Sequence, residues 1–272
     1  MHPSDILLLT LLATPATAHG VVTLVRGANG VEMPGLSVAD GTPRDCSTNR
    51  CGSQADTAII RDREIRSGEV GPLGRTQGNG PIDAATMVAA FMGSGAGPAS
   101  VNAANASVGV EDDLGGLRGG KAGRAAATES NVAAMAGTGA TSGLPTCSDD
   151  GTIEMVFHQD GAGPLDAAVD GTSGGTDEAA FQRASVTQDV PGLGFQGLSL
   201  ATNKDFPLTV QMPAGMTCDA TVAGVNNVCV VRVRNGAAAG PFGGSAAFTM
   251  SPAARKRAVA YRLKKRAQAF KA

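Results

Sequence analysis

Tryptophan is absent from this chain, and its single tyrosine, Tyr261, lies close to the C-terminus. Clefts that hydrolyse polysaccharides usually stack sugar rings on aromatic side chains, which offer a large apolar face. The two carboxylates that a glycosidase needs are available, because Asp and Glu together number 24. The scarcity of aromatic residues nevertheless argues against a conventional glycosidase.

Histidine is nearly as scarce, with three residues at positions 2, 19 and 158. The segment Gly171–Gly175 (GTSGG) matches the nucleophile elbow of α/β-hydrolases, in which the catalytic histidine follows the serine along the chain. No histidine follows Ser173, and no apolar strand precedes it. A hydrolase triad of that type is therefore excluded.

The chain begins with an apolar run, Ile6–Leu12, followed by the small-x-small tripeptide Ala16-Thr17-Ala18. This pattern predicts a signal peptide over residues 1–18 and a mature chain that starts at His19. No later apolar run reaches the roughly 20 residues of a membrane span. We therefore predict a secreted protein, extracellular or at the cell surface, without a transmembrane segment.

The formal net charge of −2 hides an uneven distribution. Residues 255–272 hold eight Lys or Arg and no carboxylate, so the preceding body is acidic and the tail basic. In the tail (251–272), Val259, Leu263 and Phe270 recur at roughly helical spacing among the cations. Two alternatives follow, a disordered basic tail or an amphipathic helix. No nucleic-acid partner is predicted.

Five cysteines in a chain that enters an oxidising compartment indicate disulfides. Local pairing predicts Cys46–Cys51 and Cys218–Cys229. Cys147 would then be a free thiol or form a bridge between molecules.

Short segments with alternating apolar residues, separated by Gly and Pro, predict β-strands along most of the chain. The clearest, Thr152–His158, places Ile153, Met155 and Phe157 on one face and His158 on the other. The other predicted segments are 20–28, 57–61 (a strand or a turn of helix), 184–190, 206–212, 228–234 and 246–250. This pattern predicts an all-β, immunoglobulin-like β-sandwich with long loops over residues 19–250.

Between residues 84 and 143 the composition changes to Ala, Gly and Ser. Apart from a short helix at 84–92, this range lacks helical or strand periodicity, which predicts a low-complexity insertion. It contains the sequon Asn105-Ala106-Ser107, so Asn105 is a candidate glycosylation site.

His19 and His158 would be the two histidines of the mature chain. A terminal His19 offers an α-amine and an imidazole, and His158 offers a third nitrogen, a donor set that suits copper. This set resembles the histidine brace of lytic polysaccharide monooxygenases, which are secreted β-sandwich proteins; Phe242 or Phe248 would supply an apolar axial wall. The alternative is that His19 merely follows a cleavage site and that His158 is a structural residue at a strand end. Copper is the one candidate cofactor.

Several segments, taken in order, resemble a known family. They are 18–22, 59–65, 74–76, 150–164, 230–235 and 239–244. The chain is similar to fungal secreted virulence factors of the Gas/Egh type, first noted in powdery mildew and in rice-blast appressoria. The resemblance covers the body except the insertion and the tail. It implies a role in appressoria, host penetration and virulence, and it supplies no catalytic activity.

The leading interpretation is thus a secreted, effector-like surface protein that acts at the boundary between the fungus and its host or wall. Cell-wall polysaccharide or a host surface would be its partner. The alternative is a copper-binding histidine-brace protein, which as an enzyme would be a copper-dependent oxidoreductase acting on polysaccharide. The sequence identifies no catalytic residue and leaves open whether the protein is an enzyme.

Overall fold

A computed structural model describes residues 18–46, 51–101, 127–192 and 198–270, without the side chains of 159–162 and 198–202. The predicted signal peptide (except Ala18) and Asn105 lie outside these residues. Twelve strands are described: β1 His19–Arg26, β2 Glu32–Pro34, β3 Ala58–Ile59, β4 Arg75–Thr76, β5 Gly80–Pro81, β6 Thr152–Ala162, β7 Asp166–Asp170, β8 Phe181–Gln188, β9 Leu198–Gln211, β10 Ala220–Val222, β11 Val225–Arg234 and β12 Phe242–Thr249. The α-helices of the same residues are α1 Asp62–Ser67, α2 Ala84–Phe91, α3 Asn131–Met135, α4 Gly139–Ser142 and α5 Pro252–Ala269.

The strands form one hydrogen-bonded path in the order β2-β1-β6-β9-β8-β7-β11-β12-β3-β4-β5, with β10 added beside β11. Their pairings are antiparallel. The sheet curls back on itself, so β1 contacts β12. The all-β prediction is confirmed. The immunoglobulin-like sandwich remains a prediction. Such a sandwich consists of two separate sheets, whereas here β8 joins the two halves of the path, because it pairs through Ala184 with β7 and through Val186 with β9.

The core lies between the two curled halves. Ile153, Met155 and Phe157 all point into it and are at most 2% exposed, as the alternation of β6 predicts. β1 and β12 approach closely at one point, since a Cβ on Gly244 would lie only 2.6 Å from the backbone nitrogen of Val22. Glycine at this position lets the two strands pack backbone against backbone.

The predicted strands are present as β1, β3, β6, β8, β9, β11 and β12, with shifted ends. Sequence patterns did not indicate β2, β4, β5, β7 or β10, which have five residues or fewer. β7 illustrates the reason: it has only Val169 as a strong strand former and is stabilised by pairing with β8 and β11 on its two sides.

Helix α2 occupies the start of the predicted Ala/Gly-rich insertion. Asp83 caps it, since its carboxylate accepts a hydrogen bond from the Ala85 amide at 3.0 Å. Met87, Val88 and Phe91 are at most 2% exposed and belong to the main core.

The tail forms helix α5, which corresponds to the helical alternative for this segment. Among the described residues, none of the helices is both long and apolar enough to cross a membrane.

Two disulfides, Cys46–Cys51 and Cys218–Cys229, confirm the predicted local pairs. Cys147 carries a free thiol and is 2% exposed. Burial raises the pKa of this thiol, so it is held in its unreactive protonated form.

Candidate functional site

His19, the first residue of β1, is 6% exposed and lies against an aromatic ring. Its imidazole centroid is 4.0 Å from that of Phe242, with the rings tilted by 38°. Phe242 packs with Ala18, Ile59 and Ala237 in a small cluster separate from the main core. Of the two predicted wall residues, Phe242 therefore contacts His19, whereas Phe248 belongs to the main core.

Asn235 fixes the backbone around this cluster, and its side chain is buried. The amide nitrogen Nδ2 donates to the carbonyl of Ala18 at 2.6 Å. The oxygen Oδ1 accepts from the backbone nitrogens of Ala237 and Phe242, at 3.1 and 3.0 Å. One side chain thereby ties the start of β1 to the loop between β11 and β12, and a buried amide with these partners resists movement.

A second group of polar contacts surrounds Glu64, which is 4% exposed. Its carboxylate accepts from Arg61 Nη1 at 2.9 Å and from Arg75 Nε at 3.0 Å. Arg61 also donates to the carbonyls of Ala239 and Gly240, at 2.6 and 3.4 Å. Burial alone raises the pKa of Glu64, but the hydrogen bonds from both arginines outweigh it and leave that pKa below its usual value.

Arg234 links the same region to helix α1. Its guanidinium donates to the carboxylate of Asp62 and to the carbonyl of Ile60. The Arg234 hydrogen bond, as the largest influence, lowers the pKa of Asp62. Segments 59–65, 74–76, 230–235 and 239–244, which carry the family resemblance, therefore meet around His19. We call this region, from His19 and Phe242 to Glu64, the His19 site.

His158 lies on β6, directly opposite Val21 of β1, and its side chain is 11% exposed. Its Nδ1 is 2.7 Å from Oδ1 of Asp205 on β9, and this hydrogen bond lowers the pKa of Asp205. His19 pairs with Asp160 and Gly161 on the same two strands. The two histidines are thus on neighbouring strands, with His19 against Phe242 and His158 against Asp205.

Among the described residues, no group of three or more His, Cys, Asp or Glu side chains is arranged to hold a metal ion. A brace would need the α-amine of a terminal His19 as its third nitrogen, and in this chain Ala18 precedes that residue. The copper site is therefore still a prediction.

Sequence reasoning assigned no role to several buried polar residues. Arg44 donates to Asp56 at 3.0 and 2.5 Å and to Glu129 at 3.1 and 3.0 Å. Asp205 was likewise not singled out. Arg44, Asp56 and Glu129 lie in loops, where charged residues give no periodic signal, and Asp205 is an exposed residue of β9. Only their long-range pairings mark these residues, and one sequence does not reveal such pairings.

The body is all-β, contains two local disulfides and carries a rigid polar site at one strand end. These features define the class of the protein as a disulfide-stabilised β-protein. The sequence model of the Egh16-like virulence factor family matches residues 17–243. The chain is 54% identical to the appressoria-specific virulence factor GAS2 of Pyricularia oryzae, over 97% of this chain and 94% of GAS2. It is 31% identical to the appressoria-specific virulence factor GAS1 of the same fungus, over 97% and 87%. The chain belongs to the Egh16-like virulence factor family, which confirms the predicted resemblance. No solved structure matches it.

Proposed function

We propose that this protein is a secreted virulence factor that acts outside the fungal cell, at the boundary between the appressorium and the host surface or wall. Its relatives are named appressoria-specific virulence factors, which supports the appressorium as the place of action. The observation that carries the extracellular part is the pair of disulfides, because such bonds persist in oxidising compartments. The apolar leader before His19 supports the same route.

The geometry of the His19 site supports recognition as the function of the loop beside it. His19, Phe242 and Glu64 are buried, whereas Gly236, Ala238 and Ala239 of the loop between β11 and β12 are exposed. Hydrogen bonds from the buried Asn235 and from Arg61 hold this loop in one conformation. A pre-organised surface loses little conformational entropy on binding, which favours affinity. Cell-wall polysaccharide or a host surface component is the partner class that this proposal names.

Secretion is testable with the full chain expressed in a filamentous fungus under its own residues 1–18. We expect protein in the medium that starts at His19 and whose peptide map under non-reducing conditions contains both disulfides. Ala18→Arg places a large charge where the peptidase needs a small residue and should strongly reduce secreted protein. Thr17→Ser, at a position without that requirement, is the matched control. Wild-type chain retained inside the cell with reduced cysteines would refute the proposal.

A second candidate function is copper binding by His19 and His158. Two observations support it: the histidines lie on neighbouring strands, and Asp205 contacts Nδ1 of His158. Carboxylates in that position commonly orient a metal-binding imidazole through its other nitrogen. Bound copper would supply redox chemistry, and with a polysaccharide as partner that chemistry would be oxidation of the polysaccharide. His19, with its amine, and His158 would hold it.

Protein that starts at His19 is expected to bind one Cu(II), measured by calorimetry and by a type 2 EPR signal. His158→Ala should abolish the signal, and Asp205→Ala should weaken affinity by about tenfold or more, because it removes the acceptor that orients the imidazole. Asp166→Asn, on an exposed carboxylate paired with Arg183, is the control and should bind as wild type. Equal affinity of wild type and His158→Ala would exclude the site.

A further inference from the structure

Helix α5 is held against the body by contacts that extend from Ser251 to Arg262. Ala254 and Ala258 are 4% and 8% exposed, so this face is packed. Arg255 donates to the carbonyl of Cys218 at 2.9 Å and pairs with Asp219 at 2.9 Å. Ser251 caps the helix, accepting from the Ala254 amide and donating to Asp149. The orientation of the helix relative to the body is therefore fixed.

The opposite face of α5, continued by its C-cap residue Phe270, carries exposed apolar side chains. Val259 is 42% exposed, Leu263 60% and Phe270 91%. At 100° per residue these three fall within about 40° of one another, and about 100–180° from Ala254 and Ala258. Within the described part of the chain, these three and the half-exposed Tyr261 make up the exposed large hydrophobic residues. In the rest of the described chain such side chains are buried or partly buried, so this stripe is a distinct feature.

Cations flank the apolar stripe. The helix contains seven Lys and Arg and no carboxylate. Three of them, Arg255, Arg257 and Arg262, donate hydrogen bonds to the body, and the other four, Lys256, Lys264, Lys265 and Arg266, are exposed. Lys264 and Arg266 lie on opposite sides of Leu263, and both are exposed. An exposed apolar stripe between rows of Lys and Arg is typical of helices that lie in the plane of a membrane interface.

We propose that α5 docks the protein onto an anionic phospholipid surface. Val259, Leu263 and Phe270 enter the boundary between headgroups and acyl chains, while Lys264, Arg266 and neighbouring cations contact lipid phosphates. The contacts of Arg255 and Ser251 set the body at a fixed angle to that surface. The helix lies beyond residues 17–243 that define the family, so this docking adds to the proposed virulence function.

Charge and apolar exposure together select a lipid surface over other partners. An acidic polysaccharide would neutralise the cations but leave Leu263 and Phe270 in water. A second copy of the helix would bring seven positive charges against seven, at a considerable Coulomb cost. A bilayer with anionic headgroups satisfies both the charge and the apolar stripe.

The test is flotation of the mature protein with phosphatidylcholine vesicles, with and without about one-third phosphatidylserine. We expect binding to the anionic vesicles and at least tenfold weaker binding to the neutral ones. Raising the ionic strength from about 0.1 to about 1 M shortens the Debye length from about 10 to about 3 Å and should weaken binding strongly.

Two double variants separate the contributions. Leu263→Ser/Phe270→Ser keeps the charge, and Lys264→Gln/Arg266→Gln keeps the stripe. Each should weaken binding to anionic vesicles at least tenfold without changing thermal unfolding, because the altered residues are exposed. Arg63→Gln/Arg183→Gln removes the same charge from exposed sites on the body and should bind as wild type.

Three results would overturn the proposal. The first is vesicle binding that Leu263→Ser/Phe270→Ser leaves unchanged. The second is binding to soluble polygalacturonate as tight as to anionic vesicles, which would indicate an acidic polysaccharide. The third is an absence of vesicle binding, including the case of a dimer in sedimentation that the apolar variant abolishes. None of these results bears on secretion or on the His19 site, so the proposed function is tested separately.

Discussion

Replacement of Asp56 by alanine is expected to lower the free energy of unfolding by about 3–5 kcal/mol. Asp56 is fully buried and accepts two hydrogen bonds from Arg44, whose side chain is only 13% exposed. Its carboxylate also accepts from the Ala39 amide at 3.3 Å. Removing it leaves a buried guanidinium with Glu129 as its remaining carboxylate partner, and a buried charge that loses its counter-ion is costly.

The physical basis is visible in the guanidinium itself. Burial lowers the pKa of Arg44, but the charges of Asp56 and Glu129 and their hydrogen bonds outweigh burial and raise that pKa overall. Arg44 therefore stays charged, and both carboxylates are needed to stabilise this charge in its largely buried position. The cluster joins the loop before β3 to the segment before α3, since Glu129 also accepts from the amides of Ser130 and Asn131.

Urea unfolding monitored by circular dichroism gives the free energy of unfolding and so tests this prediction. Asp166→Ala is the matched control, because it removes a carboxylate that pairs with Arg183 at 3.4 Å while both side chains are largely exposed. That pair should contribute no more than about 0.5 kcal/mol. Asp56→Asn retains hydrogen-bonding atoms, and we expect an intermediate loss. Equal unfolding midpoints for Asp56→Ala and Asp166→Ala would show that the buried cluster does not stabilise the fold.

Replacement of Glu64 by glutamine is expected to cost about 2–3 kcal/mol at neutral pH. Glu64 is 4% exposed and accepts from both Arg61 and Arg75, so glutamine removes the charge that both cations face. The change should also loosen the His19 site, because Arg61 holds the carbonyls of Ala239 and Gly240 while bonded to Glu64.

The difference in the free energy of unfolding between wild type and Glu64→Gln should become smaller as the pH falls. The pKa of Glu64 in the folded protein lies below its usual value of 4.5, so the ionised form stabilises the fold. This contribution is complete above the usual pKa and is lost as the pH falls through the lowered one. The two unfolding curves should therefore converge in acid, below about pH 4.

Glu69, just beyond the end of α1, provides the control for this titration. It is exposed, and Glu69→Gln should change the free energy of unfolding by less than about 0.5 kcal/mol across the same pH range. A constant difference between wild type and Glu64→Gln from pH 7 to pH 3 would contradict an electrostatic role for Glu64. Chemical unfolding at each pH supplies the comparison.

Local pattern alone predicted a large part of this protein. The alternation of Ile153, Met155 and Phe157 identified β6 and its buried face, because strand geometry repeats every two residues. The disulfides were predicted because Cys46 and Cys51 are 5 residues apart and Cys218 and Cys229 are 11, so each pair closes a short loop. The order of the family segments also sufficed to recognise the Egh16-like family.

Tertiary structure decided which distant residues meet. The hydrogen bond from Asn235 to Ala18 spans 217 positions, and that from Arg44 to Glu129 spans 85. Such contacts depend on the strand order and on the curl that brings β1 to β12, which placed Phe242 rather than Phe248 against His19. Packing of Ala254 and Ala258 likewise holds α5 against the body and leaves its apolar face outward. Periodicity in a sequence is a local signal, whereas these features arise from surfaces that exist only once the sheet has formed and curled.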